Sequence, residues 1–393
     1  MKIHSLALYC LSVAAMLAPH LEASVNVQWY TPFASGTSSW PGGISLDSSG
    51  AGWVSRESGL FHFDQSGTVD LSRAVTSSSP VASASDGSLF IATTTALLHY
   101  DAAGTLLSST PFTGLNTLNI SAVAANASGV FTSGQSVNGS TAIGFLAKHD
   151  SAGTLLWQTT FGHGNGGITL DSAGNSYVIG GNPDNTGLNT YLAKIDPAGN
   201  LIAQFPLSGQ SFTTTFRDVA IDSAGNFYAT GDLLTPIGGV GHPELNKVFL
   251  RKYTSTGTLL WSRFFDRSGY DDTTDVEIDR DGNIWIGGTS AATSTAGGTP
   301  IIANPFVAEY SPSGTALGTY FFDTAGGGGI TDMAASPLGG ITVAGYAVGL
   351  YSVPAKGIVD PFVANVIPEP GSCALLFGAV GSFALRRKHL AGA

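Results

Sequence analysis

Two cassettes alternate along most of this chain, and that repetition limits the fold more than any other feature. The first cassette is an apolar strand, a turn of the type Asp-Ser-Ala-Gly-Asn, and a second strand, as in ITLDSAGNSYVIG at 168–180. It recurs seven times, at 44–55, 81–93, 123–134, 168–180, 219–231, 276–288 and 333–345. The second cassette is a strand, an Asp-x-x-Gly turn and another strand, as in FLAKHDSAGTLLWQTTF at 145–161. Six complete copies occur, at 60–71, 97–112, 145–161, 191–207, 249–265 and 306–322. A seventh opens as FVANV (362–366) and stops. Its missing last strand has a donor near the front of the chain, because VNVQWYTPF at 25–33 resembles LLWQTTF at 155–161.

Each pair of cassettes makes a four-stranded unit, A to D, and internal repeats of this period mark solenoids or propellers. The expected architecture is all-β: a single β-propeller of seven four-stranded blades over 24–366, closed by the N-terminal strand. An open array would leave unpaired strand edges, whereas a ring leaves only short ones. Seven units over 24–366 average about 49 residues each, close to known propeller repeats. A six-bladed ring and a β-helix are the competing architectures, and the even four-strand cassette disfavours the β-helix. Composition agrees. The 52 Gly and the low charged fraction of 11% suit short strands and tight turns. Outside the two ends no sustained helical stripe of apolar residues appears. The repeats resemble the SBBP-type β-propeller family over most of the chain.

The ends read as addresses. Lys2, the apolar run from Leu6 to Leu17 and the small Ala23 or Ser24 form a signal peptide over 1–23. At the other end, Pro368, Glu369 and Pro370 precede an apolar stretch at 371–385 and the basic cluster Arg386, Arg387 and Lys388. Fifteen residues are short for a hydrocarbon layer of about 30 Å, and the basic cluster would hold that end in the cytoplasm. Residues 367–388 closely resemble the PEP-CTERM sorting signal. That resemblance implies an exported protein of a Gram-negative-type bacterium that makes exopolysaccharide. The tail 367–393 would hold it in the inner membrane until an exosortase-type enzyme cleaves near Pro368-Glu369-Pro370. The expected destination is the cell surface or extracellular matrix. The two cysteines, Cys10 and Cys373, both lie in these terminal segments, so the domain between has no disulfide, thiolate metal site or cysteine nucleophile.

Charge narrows the partners. The net charge is −11. The 24–370 stretch holds 12 Lys and Arg against 26 Asp and Glu, a charge of −14. An acidic chain without a basic patch argues against nucleic acid, and against an anionic membrane surface met through the domain itself. Membrane contact is expected through the tail only.

Strand alternation places the short Gly turns (A–B and C–D) on one face and the variable B–C and D–A connections on the other. The B–C connections lengthen along the chain: ten residues at 135–144 and 181–190, seventeen at 232–248 and 289–305, sixteen at 346–361. Elaborated loops on one face of a repeat protein mark a binding face. A polysaccharide or surface protein is expected there, near blades five to seven. Trp40, His163 in a D–A loop, and the acidic-aromatic loop Tyr270, Asp271 and Asp272 are candidate contacts. Asp218, Asp275 and Asp332 fall 57 residues apart, just before strand A in three successive blades. Such carboxylates at the channel mouth could hold calcium, a cation that favours oxygen ligands, or could bond their own loop backbone. His62 and His99 occupy the strand-C slot that holds Lys148, Lys194 and Lys252 later, which reads as a solvated position. No nucleophile elbow, H-E-x-x-H, C-x-x-C or phosphate loop occurs. A carbohydrate-active enzyme is the alternative function and a purely structural surface protein the third.

Overall fold

The computed structural model describes residues 25–33, 41–56, 59–74, 79–181, 190–207, 214–235, 245–265, 271–291, 303–322, 324–348 and 360–368. The signal peptide, Trp40, Tyr270 and everything after Pro368 lie outside the described residues.

The repeated turn chemistry drives local structure. In the turn at 171–175, the Gly174 N–H donates to the Asp171 carbonyl and the Asp171 N–H donates to the Asn175 carbonyl, both at 3.0 Å. Asp171 Oδ1 also accepts the Ala173 and Asn175 N–H groups. The same pattern recurs at Asp222 and Asp279. Gly174 sits at φ 82°, a left-handed conformation that only glycine adopts without steric cost. Each turn sends the chain straight back and so builds an antiparallel pair.

Among the described residues twenty-eight strands result, in seven four-stranded sheets. Blade 1 is β2 (Pro41–Leu46), β3 (Gly52–Arg56), β4 (Gly59–Phe63) and β5 (Val69–Arg73); blade 2 is β6 (Val81–Ser83), β7 (Leu89–Ala92), β8 (Ala96–Tyr100) and β9 (Leu106–Pro111). Blade 3 is β10 (Thr117–Asn126), β11 (Gly129–Asn138), β12 (Thr141–His149) and β13 (Leu155–Phe161); blade 4 is β14 (His163–Leu170), β15 (Ser176–Gly181), β16 (Tyr191–Ile195) and β17 (Leu201–Pro206). Blade 5 is β18 (Thr214–Ile221), β19 (Phe227–Thr235), β20 (Leu245–Tyr253) and β21 (Leu259–Phe265); blade 6 is β22 (Asp271–Ile278), β23 (Ile284–Ala291), β24 (Ala303–Tyr310) and β25 (Ala316–Phe321). Blade 7 is β26 (Gly328–Ala335), β27 (Ile341–Ala347) and β28 (Asp360–Pro368), completed by β1 (Val25–Pro32) from the front of the chain. The seven A strands touch in a ring, with β26 against β2 at the closure. The fold is an all-β, seven-bladed propeller.

β1 pairs antiparallel with β28 from Val25 opposite Pro368 to Pro32 opposite Phe362. The last strand therefore runs two residues past the expected boundary at 366. The B–C connections are shorter than the cassettes suggested, because the strands continue beyond them. Residues 135–144 form a hairpin, with β11 and β12 joined across Gly139 and Ser140.

Blades interlock through aromatic residues. Trp53, Tyr177, Tyr228 and Trp285 recur at one position of the B strands and are buried. The strand-D aromatics reach the next blade's C–D turn. Trp157 Nε1 donates to the Pro197 carbonyl at 3.0 Å and Trp261 Nε1 to Pro312 at 3.4 Å. A Cβ at Gly199 would sit 2.8 Å from the Trp157 ring, so this turn glycine serves both conformation and close approach. The strand-C slot runs from half-buried at His62 and Lys194 to buried at His99 and Lys148, which corrects the sequence reading. Lys148, Lys194 and Lys252 lie 5.1, 5.0 and 4.7 Å from the ring centroids of Phe131, Tyr177 and Tyr228, and His99 stacks on Phe90 at 4.3 Å. An ammonium group is attracted to the face of an aromatic ring, so polar type alone did not reveal exposure.

Candidate functional site: the acidic channel

The A strands line the central channel, and their inward positions fall at every second residue. One layer carries Gly43, Pro80, Ala122, Gly167, Asp218, Asp275 and Asp332, in blade order. Four of these seven positions are small and neutral and three are acidic. The three aspartates lie within β18, β22 and β26, not before them as expected. Each sits at a break in ladder register: between Phe216 and Asp218, Thr273 and Asp275, and Ile330 and Asp332. Such bulges re-aim a side chain.

The carboxylates reach the neighbouring blade rather than their own loop, which corrects the second expectation. Asp218 Oδ2 accepts the Val276 N–H at 3.1 Å, Asp275 Oδ2 accepts the Met333 N–H at 2.6 Å, and Asp332 Oδ2 accepts the Ile44 N–H at 2.6 Å. The aspartates thus tie blade 5 to 6, 6 to 7, and 7 to 1 across the closure. Gly167 makes room for this arrangement, since a Cβ there would fall 1.4 Å from Asp218 Oδ1.

Glu277, two residues beyond Asp275 on the same strand face, adds a fourth acid that the sequence reading missed. The alternation of strand side chains was the signal for it. Burial and mutual repulsion hold Asp218, Glu277 and Asp332 well above the usual carboxylate range; for each of the three, burial is the largest cause and the Asp275 charge the next. Asp275 also lies within hydrogen-bonding reach of Asp218 and Asp332, and a carboxyl–carboxyl hydrogen bond requires a proton. Among the described residues, no group of three or more His, Cys, Asp or Glu side chains is placed to hold a metal ion. The calcium expectation for Asp218, Asp275 and Asp332 therefore has no preformed cage: one oxygen of each acid faces a strand N–H.

Two chambers meet at the acidic layer. The larger, about 790 Å³, opens toward the A–B turns and is lined by Glu277, Thr169 and Asn126 together with the three aspartates. The smaller, about 300 Å³, opens toward the B–C and D–A face and includes Arg217, Ser121 and Thr274 with the same aspartates. The carboxyl groups and small polar side chains along the walls make this passage polar where the two chambers meet.

On the B–C/D–A side a second acidic group spans blades 5 and 6. Arg217 Nε donates to Asp232 Oδ2 at 2.8 Å, and Arg217 Nη2 lies 3.5 Å from Asp272 Oδ1. Asp232 Oδ1 accepts the Thr273 N–H at 3.0 Å. Burial, then the hydrogen bond and charge of Asp272, push the Asp232 carboxyl up to about 7 against the opposing pull of Arg217. Asp271 and Asp272 belong to β22 rather than to a solvated loop, and Asp271 is fully buried. His163 is likewise the first residue of β14. The sequence expectation missed Arg217 and Asp232, which face each other across the β18–β19 hairpin and reach Asp272 across the seam to blade 6.

No protein-family model matches this chain, and no curated protein matches it. Solved structures match in shape. The WD40 domain of Pan2 from Neurospora crassa superposes with a TM-score of 0.57 at 8% identity, covering 88% of this chain and 97% of that one. The β-propeller domain of Cps50 (Swd1) from Myceliophteria thermophila gives 0.51 at 10% identity, covering 86% and 99%. At such identities the likeness is one of fold, and it places this chain among β-propellers.

Proposed function

We propose that this protein is an exported propeller that presents its B–C/D–A face to a polysaccharide or a surface protein while its C-terminal tail handles sorting. In this reading residues 1–23 are removed on export. The tail, with Pro368, Glu369, Pro370, Arg386, Arg387 and Lys388, acts as a PEP-CTERM-like signal for an exosortase-type enzyme, and the scaffold is of the SBBP type. One observation carries the geometry: Val25 stands opposite Pro368. Blade 7 therefore has no C–D turn, and both chain ends leave where the other blades have theirs. A tail held in the inner membrane would put the turn face nearest the membrane and the variable connections farthest from it. The channel aspartates bond strand N–H groups, which supports binding or scaffolding over hydrolysis.

The test is cell fractionation with intact-mass measurement of the full chain and of Glu369→Ala and Arg386→Ala/Arg387→Ala/Lys388→Ala variants, in a host with an exosortase. The reading expects the wild type to lose both ends and reach the surface, and the variants to stay membrane-bound at higher mass. Identical mass and location for all three would overturn it. Retention of the processed chain by host exopolysaccharide then tests the ligand class.

A further inference from the structure

The D strands carry a repeated device. In blades 1 to 6 the C–D ladder breaks register just after the turn, and in blade 7 the β1–β28 ladder breaks between Val27 and Trp29; each break leaves one extra residue on strand D. The extra residues are Asp70, Leu107, Leu156, Ile202, Leu260, Leu317 and, in blade 7, Gln28. A bulge turns two consecutive side chains outward. In blades 2 to 5 those side chains are large and apolar: Leu106 and Leu107, Leu156, Leu201 and Ile202, Leu259 and Leu260, each 45–56% exposed. Exposed apolar groups that recur in register mark an interaction surface, unlike the scattered singles of an ordinary surface.

Their placement selects the partner. Each cluster directly follows a C–D turn, so all four lie along one rim of the ring, one per blade. A peptide or a small ligand could cover one or two clusters; only an extended flat surface meets four at once. The chain itself points to that surface. Pro368 ends β28 on the same turn side, beside Val25, and the residues that follow include the apolar run 371–385.

We infer that the turn-side rim of blades 2 to 5 rests on a lipid bilayer, with the tail at blade 7 as the second point of attachment. This rests on the anchored-tail reading above. Attachment at blade 7 raises the effective concentration of the rim at the surface, so clusters too weak to bind alone engage once the tail is inserted. Contacts on both sides of the ring hold the propeller flat and direct the B–C/D–A face outward. The turns beside the clusters carry Asp101, Asp150 and Asp196. The contact is therefore apolar and suits zwitterionic lipid, consistent with a domain charge that repels anionic surfaces.

The test uses the full chain reconstituted in phosphatidylcholine vesicles bearing a headgroup nitroxide. Trp157 and Trp261 directly follow Leu156 and Leu260 and report the rim by fluorescence quenching. Wild type is compared with Leu107→Ser/Leu156→Ser/Ile202→Ser/Leu260→Ser, with melting curves to confirm folding. Asp70→Leu is the gain variant, extending the rim to blade 1. The inference expects quenching of the vesicle-bound wild type, its loss in the quadruple variant, and an increase with Asp70→Leu. Vesicle-bound chain with equal quenching in all three overturns it and leaves the anchored tail standing. Chain that fails to float with vesicles overturns the tail reading and this inference together. A dimer in sedimentation that the quadruple variant abolishes, without any change in quenching, makes the rim a contact between two copies and also overturns it.

Discussion

Glu309 occupies the strand-C slot that holds Lys148, Lys194 and Lys252 in blades 3 to 5, and it is the clearest place to test the electrostatic account. The side chain is 1% exposed. Its Oε1 accepts Asn283 Nδ2 at 2.8 Å. In blades 4 and 5 the turn aspartate of the same blade faces a lysine at 3.7 or 3.6 Å, but Asp279 faces this glutamate. Burial first, then the Asp279 charge, push the Glu309 carboxyl from 4.5 up to about 7. At about 1.4 kcal/mol for each tenfold change in proton affinity, that corresponds to roughly 3 kcal/mol at most. The folded state holds this proton more tightly than the unfolded chain does. Its contribution is therefore fully present below pH 4.5 and is lost as pH rises through 7. Glu309→Gln keeps the acceptor for Asn283 and has no charge to bury. The variant should match wild type at pH 4 and exceed it by about 1–3 kcal/mol at pH 8. Urea unfolding at pH 4, 6 and 8 measures this directly, with equal slopes confirming that the unfolded state is unchanged. A gain that persists at pH 4, or no gain at pH 8, would refute the reasoning.

Other outcomes follow from the channel and the turns. Asp332→Ala removes the acceptor of the Ile44 N–H at the closure and should cost about 1–3 kcal/mol in melting or urea experiments, while Asp332→Asn keeps an acceptor, loses the crowded charge and should be no less stable than wild type at pH 8. Gly167→Ala drives a Cβ into Asp218 Oδ1 and should cost about 1–3 kcal/mol; Asp218→Gly should relieve most of that cost in the double variant, a coupling read by a double-mutant cycle. Calcium titration should leave the melting temperature unchanged, because each channel aspartate already serves a strand N–H; a saturable rise would show that the acids rearrange around the ion.

The sequence disclosed what is local and repeated. The Asp-x-x-Gly turns fix their own geometry within five residues, so the blades, their number and the closing role of 25–33 could all be read from spacing. It was silent where partners are distant. The bonds from Asp218, Asp275 and Asp332 to the next blade join residues 58 or 288 positions apart, and a single sequence holds no sign of them. Their 57-residue spacing was visible, but the strand N–H of the next blade that each one serves was not. Glu277 was legible in principle from strand alternation beside Asp275. The Arg217, Asp232 and Asp272 group was not, since it depends on which strands meet at one seam. The strand-C slot was misjudged because lysine and histidine suggest solvent, whereas here the lysine ammonium groups and the His99 ring lie on buried aromatics. The bulges that expose Leu107, Leu156, Ile202 and Leu260 leave a trace in the paired apolar residues after each turn, but pairing alone cannot say which side chain turns outward.

The central claim is that β1 closes the ring against β28 and so brings both chain ends to the turn face. Asn26 and Ile367 are directly opposed in that ladder, at a separation that antiparallel partners and disulfides share. The decisive measurement is disulfide formation in Asn26→Cys/Ile367→Cys, with Cys10 and Cys373 changed to serine, against a control that pairs Asn26→Cys with Thr117→Cys on blade 3. The account predicts rapid crosslinking of the first pair under mild oxidation, without loss of melting temperature, and none in the control. Absence of the first crosslink in folded protein, or equal crosslinking of both pairs, would contradict it.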